Sequence, residues 1–169
     1  MIVEDGTGLS DANSYVSVEF ADDYFSARGV SEWSACENKE QILVKSTDFI
    51  DSIYQWKGKK EFENQALRFP RVELRDYEGA EIKGIPLCLK QAVCDAALLV
   101  INGTELFQTK NENGSVVSET ITTLSFTYAK DESSDKTTST TLYDSINTKL
   151  RGLFRENTQR IISGKVERV

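Results

Sequence analysis

The most apolar stretch of the sequence lies between Pro86 and Gly103. Apolar residues recur in it at intervals of three or four: Leu89, Val93, Ala96 and Val100. Pro86 suits the first turn of a helix, and Asn102-Gly103 supplies a stop because glycine readily takes the left-handed conformation. A helix that is apolar around most of its circumference is buried in a core or a subunit interface. The pattern therefore predicts a central helix over 86–102, with the rest of the chain packed around it.

Two amphipathic segments precede this helix. The first is predicted over 17–28, with Ser17 as a good N-cap. The second is predicted over 38–55, where Asn38 followed by Gln41 has the form of a capping box. Together they predict a short antiparallel helical hairpin, and a tryptophan in its connection is expected to cover the core.

The remaining segments predict irregular structure, a β arm and one more helix. Residues 1–14 are polar and indicate an extended arm. Asn113-Gly114 favours a hairpin turn, and the threonine-rich, alternating run that follows predicts a strand or ribbon, which forms a β arm around 115–128. Residues 130–141 have no apolar anchor and indicate a mobile loop. An apolar stripe after them predicts a last helix over 142–155.

We therefore predict a mainly α protein, a small bundle of about four helices with a β-hairpin arm and extended termini. Its length of 169 residues fits one domain. Within this domain we expect a helical core (15–103), a β arm with a flexible loop (104–141), a C-terminal helix (142–156) and a tail (157–169). No apolar run is long enough to predict a transmembrane helix, so we expect no membrane partner.

The net charge of −7 is unevenly distributed. Residues 1–55 contain eleven acids and three bases, which sum to −8, whereas the rest contains sixteen acids and seventeen bases, which sum to +1. Two basic regions stand out, one over 57–71 and one over 149–168. They indicate either solvated surface or an acidic and a basic face that contact different partners.

No catalytic or metal-binding motif is apparent. The chain has no histidine, which removes the usual general base and the commonest metal ligand. Asp48 and Asp51 share a helix face but have no third ligand nearby. Cys88 and Cys94 fall on different sides of a helix and are expected to be core thiols, reduced in a cytosolic product. We therefore predict no enzyme, no cofactor and no metal.

Aromatic residues near the first basic region allow two interpretations. Trp33, Trp56, Phe62 and Phe69 could stack on nucleic-acid bases, but such residues more often pack in cores and interfaces. Eight positions are predicted to pack in the core or between subunits: Phe25, Trp33, Phe49, Trp56, Phe69, Pro70, Leu89 and Val93.

An ordered set of short motifs suggests a family. The set runs through Ser14–Ser17, Asp23–Phe25, Ala27–Gly29, Trp33, Thr47–Asp51, Trp56–Gly58, Gln65–Arg71, Ile85-Pro86, Lys90–Ala92 and Phe126–Ala129. In this order the chain resembles head–tail connector proteins of tailed bacteriophages, also called adaptor, head-completion or neck proteins. Some members of that group are labelled DnaT-like single-stranded-DNA-binding proteins.

The resemblance implies a structural virion protein made in the bacterial cytoplasm. Such a protein would form a homo-oligomeric ring, usually twelvefold, beneath the portal protein at the neck of the virion. It would extend the channel for double-stranded genomic DNA, with nonspecific contacts, and offer a platform for a stopper, tail or tail-tube protein. Two alternatives stay open: a DnaT-like single-stranded-DNA-binding replication accessory, and an oligomeric scaffold unrelated to phage.

If the connector interpretation holds, we expect the basic C-terminal segment 149–169 to dock onto the portal. It contains six bases and two acids, with apolar residues between them. Such a tail would order only against its partner. The predicted docking residues are Arg151, Phe154, Arg155, Arg160, Ile161, Ile162, Lys165, Val166 and Arg168.

Overall fold

The computed structural model describes residues 1–76, 78–107, 120–121, 124–125 and 137–155. The described part is mainly helical, with α1 (Val18–Ser26), α2 (Lys39–Ile53), α3 (Leu87–Ile101) and α4 (Thr137–Leu150). Two antiparallel strand pairs accompany the helices: β1 (Lys59–Lys60) with β2 (Arg71–Val72), and β3 (Thr120–Ile121) with β4 (Leu124–Ser125). No helix in these described ranges is long and apolar enough to cross a bilayer.

The predicted central helix is confirmed as α3. Eight of its fifteen residues are buried, and it packs most extensively against α2 and α4, with α1 also in contact. Pro86 is the N-cap, one residue before the helix, and its carbonyl accepts the backbone N–H of Leu89. Gly103 has a φ of 81°, which is the left-handed stop that the sequence predicts.

The two N-terminal helices are also confirmed, with one error at a cap. The Ser17 hydroxyl accepts the backbone N–H of Phe20 at 3.2 Å, as expected of an N-cap. Asn38 is the N-cap of α2, but its side chain makes no capping hydrogen bond. The predicted capping box is therefore wrong, because the backbone of Asn38 (φ −100°, ψ 42°) leaves the extended conformation that aims a capping side chain at the helix.

Trp33 covers the core from the connection between α1 and α2, as predicted. Its side chain is buried, and the ring lies against Phe25 with the centroids 4.8 Å apart. The indole Nε1 donates to the carboxylate of Asp22 at 2.6 Å. The polar edge of the ring is therefore satisfied at the protein surface while its body packs inside.

The N-terminal segment is a folded loop, so the predicted extended arm is wrong. Val3 pairs with Ser14 in a parallel bridge. The buried carboxylate of Glu4 accepts the backbone N–H groups of Gly6, Gly8 and Leu9, each at 2.9 Å. Three donors compensate the carboxylate for lost water, and a closure of this kind has no periodic signature in the sequence.

The described strands β3 and β4 lie within the predicted β arm over 115–128, whereas the last helix is shifted toward the N-terminus. Thr120 and Ile121 pair antiparallel with Ser125 and Leu124. The predicted turn at 113–114 lies outside the described residues. α4 begins at Thr137 and ends at Leu150, which overlaps part of the predicted loop over 130–141. This serine- and threonine-rich start lacks apolar periodicity, so the pattern did not reveal it.

A buried polar junction joins three of the helices. The carboxylate of Asp95, on α3, accepts from the Tyr24 hydroxyl of α1 at 2.7 Å and from the Ser145 hydroxyl of α4 at 2.8 Å. Lys149 forms an ion pair with the same carboxylate. Burial, together with this hydrogen bond, raises the pKa of Tyr24 above its ordinary value. Of the two thiols predicted to lie in the core, Cys94 is buried, and burial raises its pKa to about 12, whereas Cys88 is only partly buried.

Candidate functional site

The segments that follow α2 and α4 meet in a small sheet. The backbone N–H of Lys57 donates to the Leu153 carbonyl at 2.9 Å, and that of Arg155 donates to the Gln55 carbonyl at 2.7 Å. Trp56 and Phe154 pair in an antiparallel bridge between these contacts. Further along the same segment, Lys59 and Lys60 pair with Val72 and Arg71 through β1 and β2. We call this three-segment unit (55–60, 71–72 and 153–155) the basic sheet.

Arg71 fastens the basic sheet from within. Its guanidinium donates from Nε to the Lys57 carbonyl at 2.6 Å, and from its two terminal nitrogens to the carbonyls of Gly58 and Arg68 at 2.9 and 3.0 Å. These partners are neutral carbonyls, and the nearby Asp51 carboxylate offsets part of the positive charge. Burial lowers the pKa of Arg71, the charges of Arg68 and Arg155 lower it further, and the charge of Asp51 raises it.

Arg68, Arg71 and Arg155 therefore form a cluster of neighbouring cations, here called the arginine cluster. Arg68 and Arg155 are exposed, and neither forms a salt bridge with a described residue. Guanidinium groups bind phosphate and carboxylate oxygens in bidentate geometry. The cluster can thus bind an anionic group that approaches from solvent.

Two lysines of the sheet, Lys59 and Lys60, already have partners. Lys59 pairs with Glu73 at 2.8 Å. Lys60 donates to the Gln65 carbonyl at 3.0 Å, across the connection between β1 and β2. These contacts shape the hairpin and leave the arginine cluster as the better anion site.

A buried hydrogen-bond chain holds the loop that carries Arg68. The Tyr15 hydroxyl donates to Asp51 at 2.7 Å and accepts the backbone N–H of Phe69 at 3.0 Å. The second carboxylate oxygen of Asp51 accepts the backbone N–H of Arg68 at 2.9 Å. Burial raises the pKa of Asp51 in spite of these donors. These hydrogen bonds attach the loop to α2 and hold the backbone of Arg68, the first residue of the arginine cluster, in place.

The aromatic residues weighed as base-stacking candidates separate into two groups. Trp33, Trp56 and Phe69 are buried, so they pack in the core and offer no face to a base. Phe62 is 40% exposed. All eight residues predicted to pack in the core or between subunits are buried within the chain: Phe25, Trp33, Phe49, Trp56, Phe69, Pro70, Leu89 and Val93.

The predicted docking segment begins inside the fold. Leu150, Leu153 and Phe154 are buried, and the Phe154 ring lies 4.8 Å from that of Tyr54, centroid to centroid. The expectation of a free tail is therefore wrong for residues 149–155, because their apolar side chains complete the core of the subunit itself.

Two of the predicted docking residues, Arg151 and Arg155, are exposed. Six more lie outside the described residues: Arg160, Ile161, Ile162, Lys165, Val166 and Arg168. In the ranges that the structure describes, no group of three or more acidic or cysteine side chains is placed to hold a metal ion.

Comparison with known proteins gives one match. Residues 1–169 match the family described as "Putative DnaT-like ssDNA binding protein". The chain belongs to this family. No curated protein and no solved structure matched. The comparisons give no support to the connector resemblance, whereas the family description agrees with the alternative of single-stranded-DNA binding.

In this DnaT-like chain, the sequence revealed the basic residues over 57–71 but not their arrangement. Arg155 lies far from them in sequence, and only the return of the chain after α4 brings it beside Arg71. The Tyr15–Asp51 contact is equally nonlocal. The sequence pattern gave no indication of it, because it predicts Asp51 on the polar outer face of the helix together with Asp48, and that placement of Asp51 is wrong.

We predict opposite pH dependences for two carboxylates. Burial raises the pKa of Asp51, so wild type should lose stability relative to Asp51→Asn as the pH rises from about 4. Hydrogen bonds from Lys39 and Trp33 lower the pKa of Asp22, so wild type should lose stability relative to Asp22→Asn as the pH falls below about 4. Urea unfolding across acidic pH measures both differences. Two differences that change in the same direction would contradict this assignment.

Proposed function

We propose that this DnaT-like protein binds single-stranded DNA, with the arginine cluster as the contact for its phosphates. The observation that carries the proposal is the convergence of two segments: Arg68 and Arg71, three residues apart, meet Arg155 from the segment that follows α4. Arg71 is held by backbone carbonyls, so one cation is fixed in place before the ligand arrives. Membership of the family described as binding single-stranded DNA supports the same function.

The site favours backbone contact over recognition of a base sequence. Guanidinium groups neutralise phosphates, and phosphate contacts carry no direct sequence information. For a single strand, the logarithm of the binding constant falls with the logarithm of the salt concentration, with a slope of about −0.7 for each phosphate neutralised. One phosphate for each arginine of the cluster gives a slope of about −2 in log K against log salt.

The rest of the surface limits the affinity. Residues 1–55 carry a net charge of −8, from eleven acids and three bases. Such a region repels phosphates, so a strand is directed to the basic sheet and contacts it over a short length. We therefore expect binding that is modest, nonspecific and sensitive to salt.

The double variant Arg68→Glu/Arg155→Glu tests this site. Reversing two of three contacts should weaken binding of labelled oligothymidylate by about tenfold or more and reduce the salt slope to about −1. Fluorescence anisotropy over a salt series measures both quantities.

The matched control is Lys45→Glu/Lys83→Glu, which changes the net charge equally at two exposed lysines outside the cluster. Equal losses in the two double variants would show a general charge effect and refute the site. Absence of oligonucleotide binding by wild type at low salt would refute the function.

A second candidate function is the head–tail connector ring. The specific structural feature that favours it is the exposure of large apolar side chains: Ile2, Phe62, Val72, Leu87 and Phe107 are 37–59% exposed. Exposed apolar surface suits contacts between subunits. In this proposal the partners are the portal protein, a stopper or tail protein and further copies of the chain, and double-stranded DNA passes through the lumen in the virion.

Electron microscopy with purified portal tests the connector candidate. The full-length protein is expected to form rings on the portal. A variant that lacks residues 157–169 is compared with it in the same experiment. The truncated protein should join portal-bearing heads less well, because repeated weak contacts around a ring add up to strong attachment. A monomer that ignores the portal would remove this candidate and leave single-strand binding.

A further inference from the structure

Phe62 occupies a distinctive place beside the basic sheet. It lies in the connection between β1 and β2, where its backbone N–H donates to the side chain of Gln65 at 2.9 Å. Gln65 is itself buried and donates to the Leu67 carbonyl at 2.8 Å. The connection is therefore braced from inside, although Phe62 itself remains 40% exposed.

The N-terminal loop supports the ring from below. Gly8 has a φ of 76°, and a Cβ built on it would lie 2.2 Å from Cδ2 of Phe62. The side chain thus rests directly on the glycine backbone, and any other residue at position 8 would displace it. The Glu4 carboxylate holds the N–H of Gly8, and the N–H of Ala66 donates to the Leu9 carbonyl at 3.0 Å. The ring has a rigid base before any ligand arrives.

We propose that Phe62 is a stacking platform for one unpaired base of the bound strand. This inference rests on the proposed single-strand binding and deepens it. Aromatic faces bind bases of any sequence, as a nonspecific single-strand protein requires. Among the four aromatics near the basic residues, Phe62 is the one whose ring reaches solvent.

Charge around the ring sets the direction of the strand. Glu61 and Glu63 are exposed on either side of Phe62, so phosphates are repelled from the platform itself. Two residues before Phe62, Lys60 lies opposite Arg71 of the arginine cluster in the pairing of β1 with β2. The neutral base therefore lies on Phe62 while its phosphate chain runs toward the cluster.

Two oligonucleotides with the same phosphates separate stacking from charge. One is oligothymidylate, and the other is an abasic strand of equal length. Phe62→Ala should weaken binding of oligothymidylate by about fivefold and leave binding of the abasic strand unchanged. Phe62→Leu keeps apolar bulk without an aromatic face, so it should weaken binding of oligothymidylate as much as Phe62→Ala does. Phe62→Trp keeps an aromatic face and should bind oligothymidylate as wild type does. Arg68→Glu should weaken both strands.

Each outcome decides between distinct conclusions. If wild type binds oligothymidylate and Phe62→Ala binds it equally well, the platform is refuted while the proposed function stands. If Phe62→Leu binds as wild type does, the ring acts as an apolar contact and the inference fails. If light scattering shows that Phe62→Ala alters the oligomeric state, the ring contacts a second copy of the chain, and the inference fails as well. If wild type binds neither strand, both proposals fail together.

Discussion

The burial of α3 is the constraint on which the described structure depends. Its residues are apolar around most of the helix, so α1, α2 and α4 must all cover it. Asp95 is the polar exception, and its carboxylate would be costly there without donors. Tyr24, Ser145 and Lys149 supply them from α1 and α4. Asp95 interrupts the apolar surface of α3, and its contacts therefore hold α1 and α4 against that helix in one arrangement.

The candidate site follows from how the core is closed. Packing α4 on α3 brings Leu153 and Phe154 into the core, and the segment that carries them pairs with Trp56 and Lys57. This pairing places Arg155 beside Arg71. On the other side, the Tyr15–Asp51 contact holds the loop that carries Arg68. The three arginines are therefore neighbours because the core beneath them is closed. None of them adds apolar surface to that core.

Local patterns predicted those parts of the fold that depend on neighbours in sequence. Apolar periodicity, the Ser17 cap and the glycine stop after α3 need only a few adjacent residues, and the structure confirms them. The folded N-terminal loop escaped prediction because it depends on one buried carboxylate, Glu4, and its donors. The start of α4 escaped because its first residues carry no apolar pattern.

The basic region was predicted as a composition and became a site only through tertiary contacts. Sequence could not reveal that Trp56 and Phe69 turn inward while Phe62 stays in solvent, since all three are aromatic residues among basic ones. Nor could it pair Arg155 with residues that precede it by more than half the chain. Long-range pairing of this kind depends on the closed core, which no short window of sequence contains.

Mapping the contact surface by nuclear magnetic resonance tests the central claim most directly. Titration of the labelled protein with oligothymidylate at low salt should shift the backbone amides of residues 57–72 and 153–155, and added salt should reverse the shifts. The amides of the acidic helices α1 and α2 should change little. Shifts centred on those helices, or no shifts at all, would contradict the account.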